Sequence, residues 1–192
     1  MKKSANKRPG SSNHFAALIA FLVLTAIHGP AWSTGTVFGA TNAMACYEAS
    51  QETASSSGLE PCNKAILQGD LNRRDLAATY SNRGVILSKM GKYENALEDH
   101  HKAVALRDDL PEIYINRGNA YYRMQQYEEA LADYERAIPL NGGSGYLAHY
   151  NRGLVLIKLR DISGARTALE KALEMMPGNQ MIQSRLDSLG SR

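Results

Sequence analysis

Apolar residues recur every three or four positions along most of the chain after residue 45, with charged and polar residues between them. This spacing is typical of helices that bury one face. The helix-length segments come in pairs, joined by short connections such as Met90-Gly91-Lys92, which suit a tight turn between antiparallel helices. The pattern therefore predicts an all-α fold built from helical hairpins.

The helical pairs are copies of one unit. The triplet Asn-Arg-Gly begins at Asn82, Asn116 and Asn151, at spacings of 34 and 35 residues. The residue sixteen positions after each glycine also occupies a recurring place in the second helix; these residues are His100, Tyr134 and Leu169. A period in this range predicts a solenoid, in which each unit buries its apolar face against its neighbours.

Small residues at fixed positions explain how the two helices of a unit pack closely. Each unit has a glycine in its first helix and an alanine twelve positions later, in its second helix. We expect the two to face each other where the helices cross, because a larger side chain would hold the backbones apart. The predicted structural positions are Gly84, Ala96, Gly118, Ala130, Gly153 and Ala165.

The unit resembles the tetratricopeptide repeat, whose pattern is W-x2-L-G-x2-Y, then A-x3-F, then A and P. The best match covers residues 111–144, and flanking repeats are predicted at residues 77–110 and 145–179. The matching residues are Tyr114, Gly118, Tyr121, Ala130, Tyr134 and Ala137. The resemblance implies an α-solenoid of helix-turn-helix repeats whose concave surface binds other proteins.

Both ends of the array have a predicted covering element. Residues 180–192 form a capping helix and tail, and residues 46–76 form a degenerate leading hairpin. On the repeat register, Cys46 takes the small-residue position of that hairpin and Cys62 takes the aromatic position. These positions face each other, so we expect a disulfide outside the cytoplasm. Two small buried thiols are the alternative.

The first residues read as an export signal. A basic stretch precedes an uncharged apolar run at residues 15–27. A helix of this length reaches about 20 Å, which is short of the ~30 Å hydrocarbon core. We expect a signal peptide at residues 1–33, with the cut uncertain up to about residue 45, and a linker at 34–45. The predicted destination is the bacterial periplasm, without stable membrane insertion after cleavage; the alternative is an anchor formed by an uncleaved N-terminal segment.

The charge of the chain argues against a nucleic-acid partner. The formal net charge is +3, and the leader alone contributes four cations; these are Lys2, Lys3, Lys7 and Arg8. The rest of the chain is therefore close to neutral and lacks the positive field expected of a nucleic-acid binder.

Catalytic and metal-binding patterns are weak. Asp99, His100 and His101 are adjacent in a helix, so their side chains point about 100° apart and do not converge on a metal. The glycine-rich stretch at residues 142–145 follows a helix and lacks the Lys and Ser/Thr of a phosphate loop. We expect no catalytic residue, no metal site and no cofactor.

An arginine stands at the position of the family's usual leucine in every unit. Acids occur at matching points of the second helices, at Asp99 and Asp133, whereas the third unit has Ala168. We expect Arg117 to pair backward with Asp99, and Arg152 with Asp133, across the interfaces between units. Solvated charges on an outer face are the alternative.

The resemblance implies a binding groove on the concave surface formed by the first helices. Recurring asparagines could hold an extended peptide through both amide atoms, or could bond neighbouring helices. A basic edge and two tyrosines would favour a ligand with apolar and acidic groups. The predicted binding residues are Asn82, Lys89, Ile115, Asn116, Asn119, Tyr122, Arg123, Tyr150, Asn151, Leu154 and Lys158.

Some members of the family grip a C-terminal carboxylate with Lys and Asn of the first repeat and Lys and Arg of the third. The corresponding residues here are Ser81, Val85, Leu147 and Asn151, so we do not expect that mode. The sequence predicts a non-enzymatic adaptor or scaffold in the cell envelope, whose groove binds a peptide or partner segment. The alternative is a structural module that associates with itself and has no external peptide ligand.

Overall fold

A computed structural model describes residues 41–52, 55–140 and 144–190, and all the regular structure within these ranges is helical. The α-helices are α1 (Thr41–Gln51), α2 (Leu59–Gln68), α3 (Arg73–Lys89), α4 (Tyr93–Leu106), α5 (Pro111–Arg123), α6 (Tyr127–Ala137), α7 (Gly145–Lys158), α8 (Ile162–Met175) and α9 (Gln180–Asp187). Short 3₁₀ turns lie at Ser56–Gly58 and Ile138–Leu140.

The helices form four stacked hairpins, α1–α2, α3–α4, α5–α6 and α7–α8, followed by the single helix α9. The first helices of successive hairpins pack directly on one another, from α1 to α3, α5 and α7. The second helices do not pack extensively on each other within the described ranges. The stack therefore curves with its first helices on the inner side, and the predicted all-α solenoid is confirmed.

The leading hairpin begins earlier than predicted. α1 starts at Thr41, so residues 41–45, which we predicted as linker, are helical. Ala43 and Cys46 on this helix are fully buried, which gives α1 an inward face and explains why the helix extends to these residues. The predicted signal peptide and the rest of the predicted linker lie outside the described residues.

The glycine that recurs in the first helix of each repeat makes room for a side chain of the second helix. A Cβ atom placed on Gly118 would lie 2.7 Å from the ring of Tyr134. The same construction on Gly84 meets the ring of His100 at 2.7 Å, and on Gly153 it meets Leu169 at 2.8 Å. The alanines at the crossing are fully buried; they are Ala96, Ala130 and Ala165. The glycine's closest neighbour is thus the residue sixteen positions later, and the predicted glycine–alanine pairing accounts for only part of the packing.

The turn within each repeat uses a left-handed residue. Gly91 has φ of 77°, and Gln125 and Arg160 hold the same place in the next two units with φ of 62° and 63°. Only glycine adopts this conformation without steric cost. The two non-glycine turns therefore show that helix packing on both sides determines the turn.

The leading hairpin contains a disulfide in place of the glycine packing. Cys46 of α1 and Cys62 of α2 are bonded, with Cα atoms 4.7 Å apart, and neither is exposed. Ile86 of α3 packs against the pair. The predicted disulfide is therefore present, and it joins the two helices at the positions where the other hairpins pack a glycine against a large side chain.

No helix in the part of the chain that the structure describes is both long and apolar enough to cross a bilayer.

Loss of the disulfide is expected to weaken the solenoid at its N-terminal end. The bond closes a loop with a sequence separation of 16. Replacing both cysteines by alanine should lower the free energy of unfolding by about 3 kcal/mol, because the cross-link restricts the unfolded chain. Urea unfolding of the variant and of the wild type measures the difference. A reductant should weaken the wild type and leave the variant unchanged; equal stability of the two oxidised proteins would contradict the expectation.

His100 is expected to make the protein sensitive to acid. The side chain is fully buried, and neither ring nitrogen has a hydrogen-bond partner in the described structure. Burial, with smaller contributions from the charges of Arg117 and His101, lowers the pKa of His100 from 6.5 to about 3. The unfolded chain therefore takes up a proton below pH 6.5 that the folded chain does not, so this stability contribution is complete above pH 6.5 and is lost as the pH falls toward 3.

The variant His100→Phe isolates that contribution. Phenylalanine has no polar atoms to bury, and Tyr134 shows that a six-membered ring fits against the equivalent glycine. The free energy of unfolding of the variant, relative to that of the wild type, should rise by about 2 to 3 kcal/mol when the pH is lowered from 7 to 4.5. One pKa unit corresponds to about 1.4 kcal/mol. Urea unfolding at both pH values measures the gain. A stability difference that does not change with pH would show that His100 is not the group that titrates.

Candidate functional site

Most of the predicted groove residues are internal. The inner face of the solenoid is formed by α3, α5 and α7, and the side chains at its centre contact the neighbouring first helices instead of solvent. Six of the predicted binding residues are at most 5% exposed; they are Asn82, Ile115, Asn116, Tyr150, Asn151 and Leu154. In this structure they support the groove from beneath and do not offer a contact surface.

The recurring asparagines bond neighbouring helices. Asn116 of α5 donates from Nδ2 to Oγ of Ser81 on α3, over 2.9 Å. Asn151 of α7 donates from Nδ2 to Oδ1 of Asn119 on α5, also over 2.9 Å, and the same oxygen accepts from the Tyr134 hydroxyl. Of the two alternatives that the sequence left open for these residues, the structure contains the bond between helices.

Asn82 is the exception in this series. It is 1% exposed, and its Nδ2 has no hydrogen-bond partner in the described structure. The repeat register explains why, because α1 has Ala43 at the position where α3 has Ser81. The leading hairpin therefore lacks the hydroxyl that receives the asparagine amide in the next unit.

Lys89 of α3 binds the end of the leading hairpin's first helix. Its Nζ donates to the backbone oxygens of Ser50 and Glu52, at 2.6 and 2.8 Å, where α1 ends. A cation at this point also interacts favourably with the negative end of the α1 dipole. Burial lowers the pKa of Lys89. The N-terminal half of the predicted basic edge is therefore engaged with α1.

The accessible part of the inner face lies toward the C-terminal end. We define the C-terminal groove as Tyr122 and Arg123 of α5 with Ile157 and Lys158 of α7. Tyr122 and Ile157 are half-buried and belong to one apolar cluster, and Lys158 is exposed. The Tyr122 ring packs edge-on against Tyr127, with centroids 5.7 Å apart, and burial raises the pKa of its hydroxyl. Tyr122 and Ile157 thus form a partly exposed apolar surface, and each is followed in the sequence by a cation.

The predicted arginine pairs are wrong. Arg117 of α5 binds Asp133 of α6, within its own unit, through two hydrogen bonds of 2.7 and 2.9 Å, and does not pair with Asp99. Asp99 instead receives two bonds from Arg83 of its own unit, at 2.7 and 2.8 Å. The two helices of one hairpin bring these positions face to face, so each planar guanidinium binds a carboxylate in parallel. The bond to Asp99 raises the pKa of Arg83.

Arg152 lacks the aspartate that pairs with the equivalent arginine in the first two repeats. The third unit has Ala168 where Asp99 and Asp133 stand, so Arg152 has no carboxylate in its own hairpin at that position. Its Nε donates backward to Glu135 of α6, at 3.2 Å, and not to Asp133 as predicted. Arg83 makes the equivalent backward contact from Nη1 to Oδ1 of Asn63, at 2.7 Å. Arg83 and Arg152 therefore each connect their unit to the second helix of the preceding hairpin, at equivalent positions of the repeat.

These arginines line the outer side of the solenoid, between neighbouring second helices. One cleft there has a volume of about 290 Å³. It is lined by Leu59, Asn63, Arg83, Leu87, Lys92, Asn95, Glu98, Asp99 and Lys102. The lining holds both cations and acids, and Asp99 already pairs with Arg83 and Lys102, so the cleft favours no single ligand chemistry. Within the described ranges, no group of three or more His, Cys, Asp or Glu side chains is arranged to hold a metal ion.

The stacked hairpins, the inner groove and the glycine packing define a helical-repeat protein with an interaction surface. Two tetratricopeptide repeat family models match the chain, over residues 75–141 and 115–180. The chain belongs to the tetratricopeptide repeat family. No curated protein sequence matches it significantly.

Solved tetratricopeptide repeat domains share this fold. The second such domain of human RPAP3, in complex with the HSP70 peptide SGPTIEEVD, is 30% identical with a TM-score of 0.58; the match covers 63% of this chain and 100% of that one. The first such domain of Spaghetti (RPAP3), bound to the HSP90 peptide SRMEEVD, is 27% identical with a TM-score of 0.58, over 60% and 91% of the two chains. MamA, at 22% identity and a TM-score of 0.63 over 80% and 84%, shares the fold.

A hydroxyl introduced on α1 is expected to complete the series of asparagine bonds. The variant Ala43→Ser should offer Asn82 the acceptor that Ser81 offers Asn116, and should raise the free energy of unfolding by about 1 kcal/mol. Urea unfolding measures the gain. In an Asn82→Ala background the same serine should bring no gain, because nothing donates to it; an equal gain in both backgrounds would contradict the proposed pairing.

Proposed function

We propose that this chain is a non-enzymatic adaptor whose C-terminal groove binds an extended or helical segment of another protein. The observation that carries the proposal is the half-buried Tyr122 beside Ile157, with Arg123 and Lys158 at their edge. A broad ring with a polar tip gives contact area at a low cost in side-chain entropy. The adjacent cations favour a ligand that has acidic groups near an apolar anchor.

The similar domains of RPAP3 and Spaghetti are bound to acidic peptides, which supports this ligand chemistry. The mode of binding we propose differs from a grip on the C-terminal carboxylate, because two of the four corresponding positions are Val85 and Leu147. Both side chains are buried here, at 7% and 4% exposure. The ligand's charge would meet the rim of the C-terminal groove instead.

We propose that the adaptor works in the cell envelope, with the periplasm as its compartment. The basic and apolar leader of residues 1–33 supports export. The buried disulfide between Cys46 and Cys62 supports an oxidising compartment, since such bonds are rare in the cytosol. In this setting the protein would act as a scaffold that holds an envelope protein by one segment.

Replacing Tyr122 by alanine is expected to remove partner binding without unfolding the solenoid. Crosslinking in intact cells, followed by identification of the captured proteins, supplies the partner; isothermal titration with the purified pair measures the affinity. We expect a loss of affinity of at least about 30-fold, because an anchoring aromatic side chain contributes about 2 kcal/mol or more. Unchanged affinity would exclude the C-terminal groove as the binding surface.

Tyr93 of α4 provides the matched control, since it is half-buried on a second helix away from the groove. Tyr93→Ala should retain the affinity of the wild type. Circular dichroism must show equal helicity for both variants. Light scattering tests self-association. A wild-type dimer that dissociates in the Tyr122→Ala variant, together with no captured partner, would show that the protein is a self-associating module and not an adaptor.

A further inference from the structure

The capping helix α9 has two different faces. Ile182 is fully buried, and Leu186 and Leu189 pack with it in one cluster with Leu154 and Leu169. This is the face expected of a helix that covers the last repeat. The opposite side is polar or exposed, and Met181 on it is 38% exposed.

By the repeat register, α9 corresponds to the first helix of a fourth unit; it packs mainly on α8, and its apolar residues join the cluster at the end of α7. Arg185 lies 34 residues after Asn151, so it occupies the asparagine position of a fourth unit. The adjacent Leu186 shares an apolar cluster with Tyr122 and Ile157 of the C-terminal groove. The guanidinium of Arg185, like that of Arg123, acts electrostatically on the Tyr122 hydroxyl. Arg185 therefore stands beside the groove and not at the distant end of the solenoid.

Arg185 differs from the arginines of the repeats in its surroundings. Arg83, Arg117 and Arg152 are each bonded to a carboxylate. Arg185 is half-buried and Lys158 is exposed, and neither forms an ion pair with a residue of the described ranges. Two cations beside an apolar floor, neither of them within ion-pair distance of a carboxylate in the described ranges, are complementary to a ligand carboxylate.

We propose that Arg185 of α9 is a specificity-determining residue of the C-terminal groove, which selects partner segments that carry a carboxylate next to the apolar side chain on Tyr122. The inference rests on the proposed function and adds a fourth helix to the binding surface. The carboxylate belongs either to an acidic side chain or to the end of a chain, and both present the same two oxygens to the guanidinium.

A display library of random heptapeptides with free C-termini tests the assignment. The library is selected on the wild-type protein, on Arg185→Gln and on Arg136→Gln, which removes the same charge from an exposed position of α6. We expect the wild type and Arg136→Gln to enrich peptides with an acid beside an apolar residue, and Arg185→Gln to lose that preference. Synthetic peptides of the enriched sequence should bind Arg185→Gln about 10-fold more weakly, as expected for a lost charge-assisted hydrogen bond.

Two peptide variants distinguish the sources of the carboxylate. In the first peptide, the acidic side chain is replaced by its amide (Glu→Gln or Asp→Asn). In the second, the C-terminus is amidated. The change that weakens binding to the wild type but not to Arg185→Gln identifies the carboxylate that Arg185 contacts. Equal enrichment and affinity for wild type and Arg185→Gln would overturn the assignment while leaving the proposed groove intact. Failure of the wild type to enrich any peptide would overturn both.

Discussion

Close packing of a glycine against one large side chain sets how closely the two helices approach in each of the three repeats. A Cβ atom on the facing glycine would lie only 2.7 Å from the rings of His100 and Tyr134, and 2.8 Å from the branched end of Leu169. Because the two helices of a hairpin touch at this point, the aspartate of the second helix comes within reach of the arginine of the first. In the leading hairpin, Cys46 and Cys62 occupy the same two positions and a covalent bond replaces the packing.

The repeat period predicted the hairpins, their register and the disulfide, because each of these depends on which residues share a position. The arginine pairs were predicted wrongly for the same reason. A period states that Asp99 and Asp133 are equivalent, but it does not state which of two adjacent first helices each one faces. The absence of an acid at Ala168 fits pairing within a unit as well as pairing between units. Arg83, which the prediction left unassigned, already binds Asp99.

The inner face shows a second limit of reasoning from register. Family positions for ligand contact were carried over equally to all three units, yet solvent access depends on how tightly the first helices pack and on what precedes them. The leading hairpin places its C-terminal carbonyls on Lys89, and its Ala43 gives Asn82 no acceptor. The sequence did not reveal that α1 starts at Thr41, because a mixture of small and polar residues such as Thr-Asn-Ala-Met-Ala is equally typical of a linker.

The two ends of the array divide the inner face into unlike halves. At the N-terminal end the chain occupies its own inner face, since the cross-linked leading hairpin packs against α3 and accepts two hydrogen bonds from Lys89. At the C-terminal end, α9 buries Ile182 against the final repeat. The opposite face of α9 is not needed for this packing. A structural cap needs only polar residues there, and an uncharged side chain would avoid placing a third cation near Arg123 and Lys158. A capping role asks for a polar residue at position 185 but not for a charge, so the cation next to the cluster of Tyr122 and Leu186 is better explained by recognition of an acidic ligand than by capping.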